Sequence, residues 1–294
     1  MVRIYNRLSA GQTSSERLRL TRTDDRVDVV GIAEETAVRL NSQDFKASGP
    51  IILALDTTSK ATSIAVVRGE QSLKSITALS DEKRSERLWV EVQSLLVEVG
   101  MTLRDIDLFS VCVGPGGFTG LRVGIAAVKG LCAALGKPVV GVTSLEAAAF
   151  SASPAPLVCA MVNAYKSEVY SQLFSLDGDG LPVPQNYAIV SAFDEALNRI
   201  RDANEVVFAG DAAEFCAEAI RDFDATREEG KWSISRPVRC IAEDVGRLAF
   251  LKHGRGESET AASLKACYVR PAEAEIKLSL GLLGSKIKRS MKSK

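Results

Sequence analysis

Histidine is almost missing from this sequence: among 294 residues there is one, His253. Zinc and iron sites lean on imidazole, and one isolated histidine without a neighbouring cysteine cannot build a common metal site. A Ser-His-Asp or Cys-His nucleophile would have to run through the same residue. It sits in the string KHGRG, where an ordinary helix C-terminal turn accounts for it. Paired cysteines are missing too. Cys112, Cys132, Cys159, Cys216, Cys240 and Cys267 stand singly among apolar neighbours, with no C-x-x-C. That is the pattern of reduced, buried thiols in a cytoplasmic protein rather than of a disulfide framework. Net charge is absent, with 37 basic residues against 37 acidic ones. No global field draws nucleic acid, so contact with RNA would go through a local patch or a partner. No apolar run approaches a membrane span, and the opening MVRIYNRLSAGQ has no apolar secretory core.

What is present is the composition of a folded soluble protein, 46% hydrophobic and 25% charged, long enough for two domains. Residues 1–50 are rich in Arg, Ser, Thr and Asp and end in the breaker pair Gly49-Pro50. They read as a loosely ordered extension, or as a start codon set too far upstream. Within them a short helix over 28–40 is suggested by Val29, Ile32, Ala33 and Val38. From Ile51 the pattern changes. Apolar runs and helical spacing predict strands at 51–55, 63–67 and 72–79, a helix over 81–99, and a strand at 108–113. A helix over 120–135, a strand at 138–142 and a helix capped by Ser144 complete the unit. The order is βββαβαβα.

The same order recurs more faintly, with strands at 157–162, 168–174, 185–190, 206–209 and 237–240 and helices over 191–201, 211–220 and 242–252. Two such units are the plan of the actin, sugar kinase and Hsp70 superfamily, whose halves face each other across a cleft. The expected fold is therefore α/β and actin-like, with subdomains at 51–153 and 154–275. The end, 276–294, is a basic tail carrying Lys286, Lys288, Arg289, Lys292 and Lys294. Such tails are ordinarily solvated, though they can hold phosphate by releasing counterions.

The segment VGPGGFTGLRVG, residues 113–124, joins a buried strand to a helix. Its glycines permit a tight turn and close backbone approach, and on physics alone it could cradle an anion at the helix N-terminus. It is not a dinucleotide fingerprint: Thr119 takes the third glycine position, and no acidic residue ends the strand at 138–142. It also lacks the Gly-Lys-Ser/Thr of a P-loop.

As a whole string, VGPGGFTGLRVGIAAVKGLCAALGKPVVGVTSLEAAA closely resembles the bacterial TsaB (YeaZ) family, with its GPGSFTGLR loop and V-S-S-L-E-A turn. ILALDTTSKATSIAVV is similar to that family's first hairpin, RSERL to its H-S-E-x-L helix start, and NAYKSEVY to its D-A-R-x-x-E-V-Y turn. Gly210-Asp211 and Tyr268-Val269-Arg270 match fainter marks, so the resemblance spans residues 51–270. Arg84 stands where the family often has histidine and Asn163 where it often has aspartate. The second change removes a carboxylate from the place where actin-fold ATPases hold a magnesium-linked water. Asp56, followed by Thr57 and Thr58, occupies the position of a nucleotide-site carboxylate, but the companion phosphate loop is missing and an Asp that satisfies the N–H groups of its own turn is the better account.

The resemblance implies a subunit without catalytic residues, metal or cofactor. It would bind a TsaD-type enzyme and, with a TsaE-type ATPase, support threonylcarbamoylation of the tRNA adenosine beside the anticodon. tRNA would be met through the complex, with no membrane involved. The helices at 81–99 and 120–135 offer the surface, either to that partner or to a second copy. The residues expected in contact are Leu88, Trp89, Val92, Leu96, Phe118, Leu121, Arg122 and Ile125. Two other readings compete. One is an independent actin-fold ATPase or small-molecule kinase working through Asp56. The other is a metallopeptidase, which a single histidine cannot equip.

Overall fold

The computed structural model describes residues 19–23, 26–30, 38–41, 49–59, 61–79, 84–165, 167–228, 230–236, 238 and 240–270. The first lobe is a five-stranded sheet. Strands β4 (Ile51–Asp56), β5 (Ala61–Arg68) and β6 (Gln71–Leu79) run as an antiparallel meander, and β7 (Leu108–Cys112) and β8 (Val139–Val142) extend it in parallel beyond β4. The strand order is β6-β5-β4-β7-β8. Parallel neighbours need crossovers, and these are α1 (Arg84–Glu98) and α2 (Phe118–Leu135). Helix α3 (Ser144–Ser151) follows β8. Its N-cap is Thr143 rather than the expected Ser144. Thr143 Oγ1 accepts from Glu146 N–H and Glu146 Oε2 accepts from Thr143 N–H, a reciprocal box that frees Ser144 for another contact.

The second lobe repeats the plan. Its sheet has the order β11-β10-β9-β13-β14, built from β9 (Val158–Tyr165), β10 (Glu168–Leu176), β11 (Pro182–Pro184), β13 (Glu205–Ala209) and β14 (Lys231–Ile234). The expected third strand splits into β11 and β12 (Ile189–Ala192), both paired with β10. Helix α4 (Phe193–Asn198) is shorter than expected, and the helix expected over 211–220 breaks at Cys216 into α5 (Asp211–Phe215) and α6 (Ala217–Asp224). A fifth strand lies at Lys231–Ile234, and of the strand expected at 237–240 residues 237 and 239 lie outside the described residues. In the fifth strand Trp232 and Ile234 pack inward on alternate positions. Two lobes of this order make an actin-like fold.

Period-two alternation in the first sheet supplies two cores. Leu53, Leu55, Ile64 and Val66 face Leu88, Val92 and Leu95 of α1 and Val128 of α2. Ile52, Ala54, Ala65 and Val67 face the other way, onto Ala242, Val245, Leu248 and Ala249. Those four belong to α7 (Ile241–Gly254). The helix expected to close the second half therefore lies on the first sheet, and its placement in the 154–275 unit is corrected. Gly246 permits this. A Cβ there would sit 2.8 Å from Val67 and 3.3 Å from Ala54.

Helix α2 has the length and hydropathy of a membrane-crossing helix, against the expectation from the sequence. One side of it is nevertheless protein interior, with Gly120, Leu121, Gly124, Val128, Leu131 and Cys132 buried.

Ahead of the lobes, β1 (Arg19–Thr23), β2 (Arg26–Val30) and β3 (Val38–Asn41) form a separate antiparallel sheet. The segment read as loosely ordered thus carries strand pairing, and the helix expected over 28–40 is not formed where these strands run. Alternation of Arg26, Val27, Asp28 and Val29 favours the extended form. The remainder of residues 1–48 and the basic tail lie outside the described residues.

Gly246→Val should force α7 off the first sheet and cost about 1–3 kcal/mol. Gly254→Ala, where a Cβ meets nothing within 4 Å, should be neutral. Thermal unfolding checks the pair, at about 2–4 °C per kcal/mol for a chain of this size. Equal melting of the two variants would contradict the packing of α7.

Candidate functional site

The turn after β4 is sealed. Asp56 is fully buried, and its Oδ1 accepts from the Thr58 N–H at 2.9 Å and the Thr58 hydroxyl at 2.6 Å, while Oδ2 accepts from the Ser59 hydroxyl at 3.3 Å. Burial raises its carboxyl above the usual carboxylate range, against the lowering effect of these bonds. Thr57 donates its hydroxyl to Gly120 O at 2.7 Å, which pins α2 to the turn. Gly117 N–H donates to Thr58 O at 2.7 Å. A Cβ on Gly116 would lie 2.8 Å from Thr58, one on Gly117 3.0 Å from Thr58 O, and one on Gly124 2.3 Å from Thr57 Oγ1. The glycines are thus explained by close approach to the threonine turn. The Gly117 N–H that might have met an anion is already bonded. Ser144 closes the far side, donating its hydroxyl to Pro115 O.

Of the three nucleotide-site candidates, only Thr58 reaches the space between the lobes. There it lines, with Ser59, Ser144, Asp211, Arg236 and Asp244, a cavity of about 80 Å³, far below the ~300 Å³ at which small-molecule sites begin. Asp56 and Thr57 lie behind it in the protein. Asp211 accepts from Asn163 N–H at 3.0 Å. Surrounding protein desolvates the Asp211 carboxyl and raises it, and the Asp56 charge adds to the shift. Asn163, in turn, accepts from Tyr165 N–H at the β9–β10 turn. Asp244 escaped the sequence reading, although an acid among the apolar residues of 241–249 was the signal. Burial pushes its carboxyl up to about 6, opposed by Arg247 at 3.6 Å and reinforced by Glu243.

The outer face of α1 and α2 divides the eight expected contact residues. Leu88, Val92, Leu96 and Leu121 are core residues at 4% exposure or less, and their assignment to a contact surface is corrected. The period that made them a stripe is the one that covers the sheet. Phe118 and Ile125 are half-buried and Arg122 is exposed. On α1 the apolar surface left outside is Trp89 at 42%, Val90 at 66% and Val97 at 77%. On α2 the exposed positions Thr119, Arg122, Ala126, Gly130 and Ala133 recur every three or four residues. Gly130 opens onto empty space. The result is a strip of small side chains along α2 and an exposed apolar ridge along α1. At its N-terminal end the Arg122 guanidinium lies 3.8 Å above the Phe118 ring, and its Nε donates to the Tyr268 hydroxyl. Val90 and Val97 were legible as an i, i+7 pair. Tyr268 was not, because 146 residues separate it from Arg122.

A family model described as TsaD, tRNA N6-adenosine threonylcarbamoyltransferase, matches residues 78–227. The tRNA threonylcarbamoyladenosine biosynthesis protein TsaB of Haemophilus influenzae is 35% identical over 123 residues, 40% of this chain and 51% of that protein. The protein of the same name from Bacillus subtilis is 28% identical over 77% of this chain and 96% of its own length. Against the first two curated relatives the chain spans about half their length, 51% and 57%. Among solved structures, YeaZ from Pseudomonas aeruginosa superposes with TM-score 0.60 at 28% identity, over 74% of this chain and 99% of that one. A second structure from that organism, an uncharacterized protein with similarity to peptidase YEAZ, gives 0.62 at 28% identity over 75% and 100%.

Two substitutions test the interior carboxylates. Asp56→Ala should destabilise by about 1–3 kcal/mol by orphaning the Thr58 N–H, with Asp56→Asn milder because one oxygen remains to accept. Asp244 behaves oppositely. Its proton is held more tightly in the folded chain than in the unfolded one, so ionisation costs stability above about pH 6. The cost fades as pH falls toward the unfolded carboxyl value. Asp244→Asn should therefore melt higher than the parent at about pH 7.5, by an amount on the order of 1–3 kcal/mol, with the gap closing by about pH 4. Melting curves against pH measure both effects. A gap that widens toward acid would refute the assignment.

Proposed function

The chain belongs to the family of the tRNA N6-adenosine threonylcarbamoyltransferase model, in its TsaB/YeaZ branch, and from that membership we propose that it is a non-catalytic subunit of tRNA threonylcarbamoyladenosine biosynthesis. It docks a TsaD-type enzyme on the outer face of α1 and α2 and works beside a TsaE-type ATPase in the cytoplasm. The transfer of the threonylcarbamoyl group to the adenosine next to the anticodon falls to the partner. The same face would seat a second copy of the chain when the enzyme is absent.

The observation that carries this reading is the strip itself. Trp89, Val90 and Val97 stand exposed on α1, and the small residues Ala126, Gly130 and Ala133 stand exposed on α2. Small residues let a partner helix approach closely while the ridge fills its grooves. Trp, Tyr and Arg are the residue types in which interface energy concentrates, and Trp89, Tyr268 and Arg122 occupy this face. An independent kinase or ATPase would need an open phosphate site at the end of β4. There the threonine turn and the glycine loop are in contact.

Trp89→Glu and Val97→Glu, each tested in pull-down of the TsaD-type protein, should lose capture while melting like the parent. Burying one large apolar side chain is worth about 1.5–3 kcal/mol, so loss of its burial alone weakens binding by about one to two decades. Capture at parental affinity by both variants would remove the face from the interface. Sustained nucleotide hydrolysis by the purified chain, abolished by Asp56→Asn, would favour the kinase reading instead.

A further inference from the structure

A second cavity, of about 330 Å³, opens on the face of the second sheet that carries α4. Its size lies within the range of small-molecule sites. The floor is apolar: Cys159, Leu173, Ala196 and Ile200 belong to one hydrophobic cluster. Burial pushes the Cys159 thiol up to about 12, so it stays neutral and lines the floor as an apolar group.

Two polar features stand against this floor. Ser171 is 6% exposed and its side chain lines the cavity. A hydroxyl in a cavity wall can donate to a ligand oxygen. Arg199 stands at the rim, with Glu195 one helical turn away and 3.1 Å from its Nη2 as the facing charge. Both side chains of that pair are more than half exposed. Such surface pairs are worth little, and a ligand carboxylate can share the guanidinium. The loop over the mouth is tied down by its neighbours. Asn186 Oδ1 accepts from Leu173 N–H, and its backbone carbonyl accepts from Gln172 Nε2. The next residue, Tyr187, is 91% exposed at the edge of the cavity.

We propose that this cavity is a binding site for a small carboxylic acid with a compact apolar body, such as an aryl-acetic or branched aliphatic acid. The body lies on the Cys159–Ala196–Ile200 floor, the carboxylate meets Arg199, and one ligand oxygen accepts from the Ser171 hydroxyl. Tyr187 covers the exposed edge of the bound body. The site lies on the second sheet, whereas the docking face lies on helices of the first lobe, so the two proposals fail independently.

The test is saturation-transfer NMR on the full chain, with phenylacetate as the probe and benzyl alcohol as its uncharged counterpart. Phenylacetate should receive saturation with millimolar or tighter affinity. Arg199→Gln should weaken phenylacetate about tenfold and leave benzyl alcohol unchanged, while Ser171→Ala should weaken both by about fivefold. Arg199 is a surface residue, so its variant folds and keeps the test decisive even where Ser171→Ala melts early. Absence of transfer to phenylacetate at about 10 mM, far above any useful affinity, overturns the site. Unchanged phenylacetate affinity in Arg199→Gln overturns it as well.

Discussion

Everything in the first lobe is referred to one contact, that between the threonine turn after β4 and the backbone of the glycine loop. Asp56 holds the turn from within, Thr57 holds α2 through Gly120 O, and Thr58 O holds Gly117. The side-chain bonds of Asp56 and Thr57 are made in a fully or nearly fully buried place, where an unmade one would cost the whole desolvation of its group. The steric side is as strict. Three glycines stand where any Cβ would fall within 3.0 Å of the threonines. The position and tilt of α2, and with them the outward strip of small residues, follow from that approach.

The two lobes are joined by more than their chain crossing. Helix α7 leaves the second lobe and packs on the first sheet, with Ala242 N–H bonded to Ser63 Oγ. The segment after it continues on the first lobe: Glu259 bridges Val139, Leu264 enters the core under α2, and Cys267 N–H donates to Val113 O. Arginines along this segment reach back. Arg255 pairs with Asp177 and Asp179, and Arg270 with Glu168, all on the second lobe. These pairs are partly exposed and contribute modestly. The apolar surface under α7 and Leu264 is the main tie.

A helix that covers a sheet and also keeps an apolar face outside has to divide its surface. Helix α1 does so by giving Leu88, Val92 and Leu95 to the core and keeping Val90 and Val97 outside. Helix α2 divides by size rather than by polarity. Its outward residues Ala126, Gly130 and Ala133 are small enough to be tolerated in water. That division reconciles a hydropathy high enough for a membrane span with a place on a globular lobe.

How much was legible follows from the range of each interaction. Strand and helix order, the turn at Asp56 and the glycine loop are written in neighbouring residues, since period, breakers and turn chemistry act within a few positions. They sufficed for the actin-like plan. The shorter second-lobe elements blurred because their packing, not their propensity, sets their ends, as β14 and the break at Cys216 show. On α1 and α2 the sequence reveals which positions are apolar but not which apolar positions meet a neighbour. Leu96 and Trp89 looked alike until the sheet was seen beneath one of them. Only the tertiary structure decided that α7 belongs to the first lobe and that Tyr268 joins Arg122. Only it decided that Asp56 spends its oxygens on its own turn, because each of these depends on close approach between segments far apart in the chain.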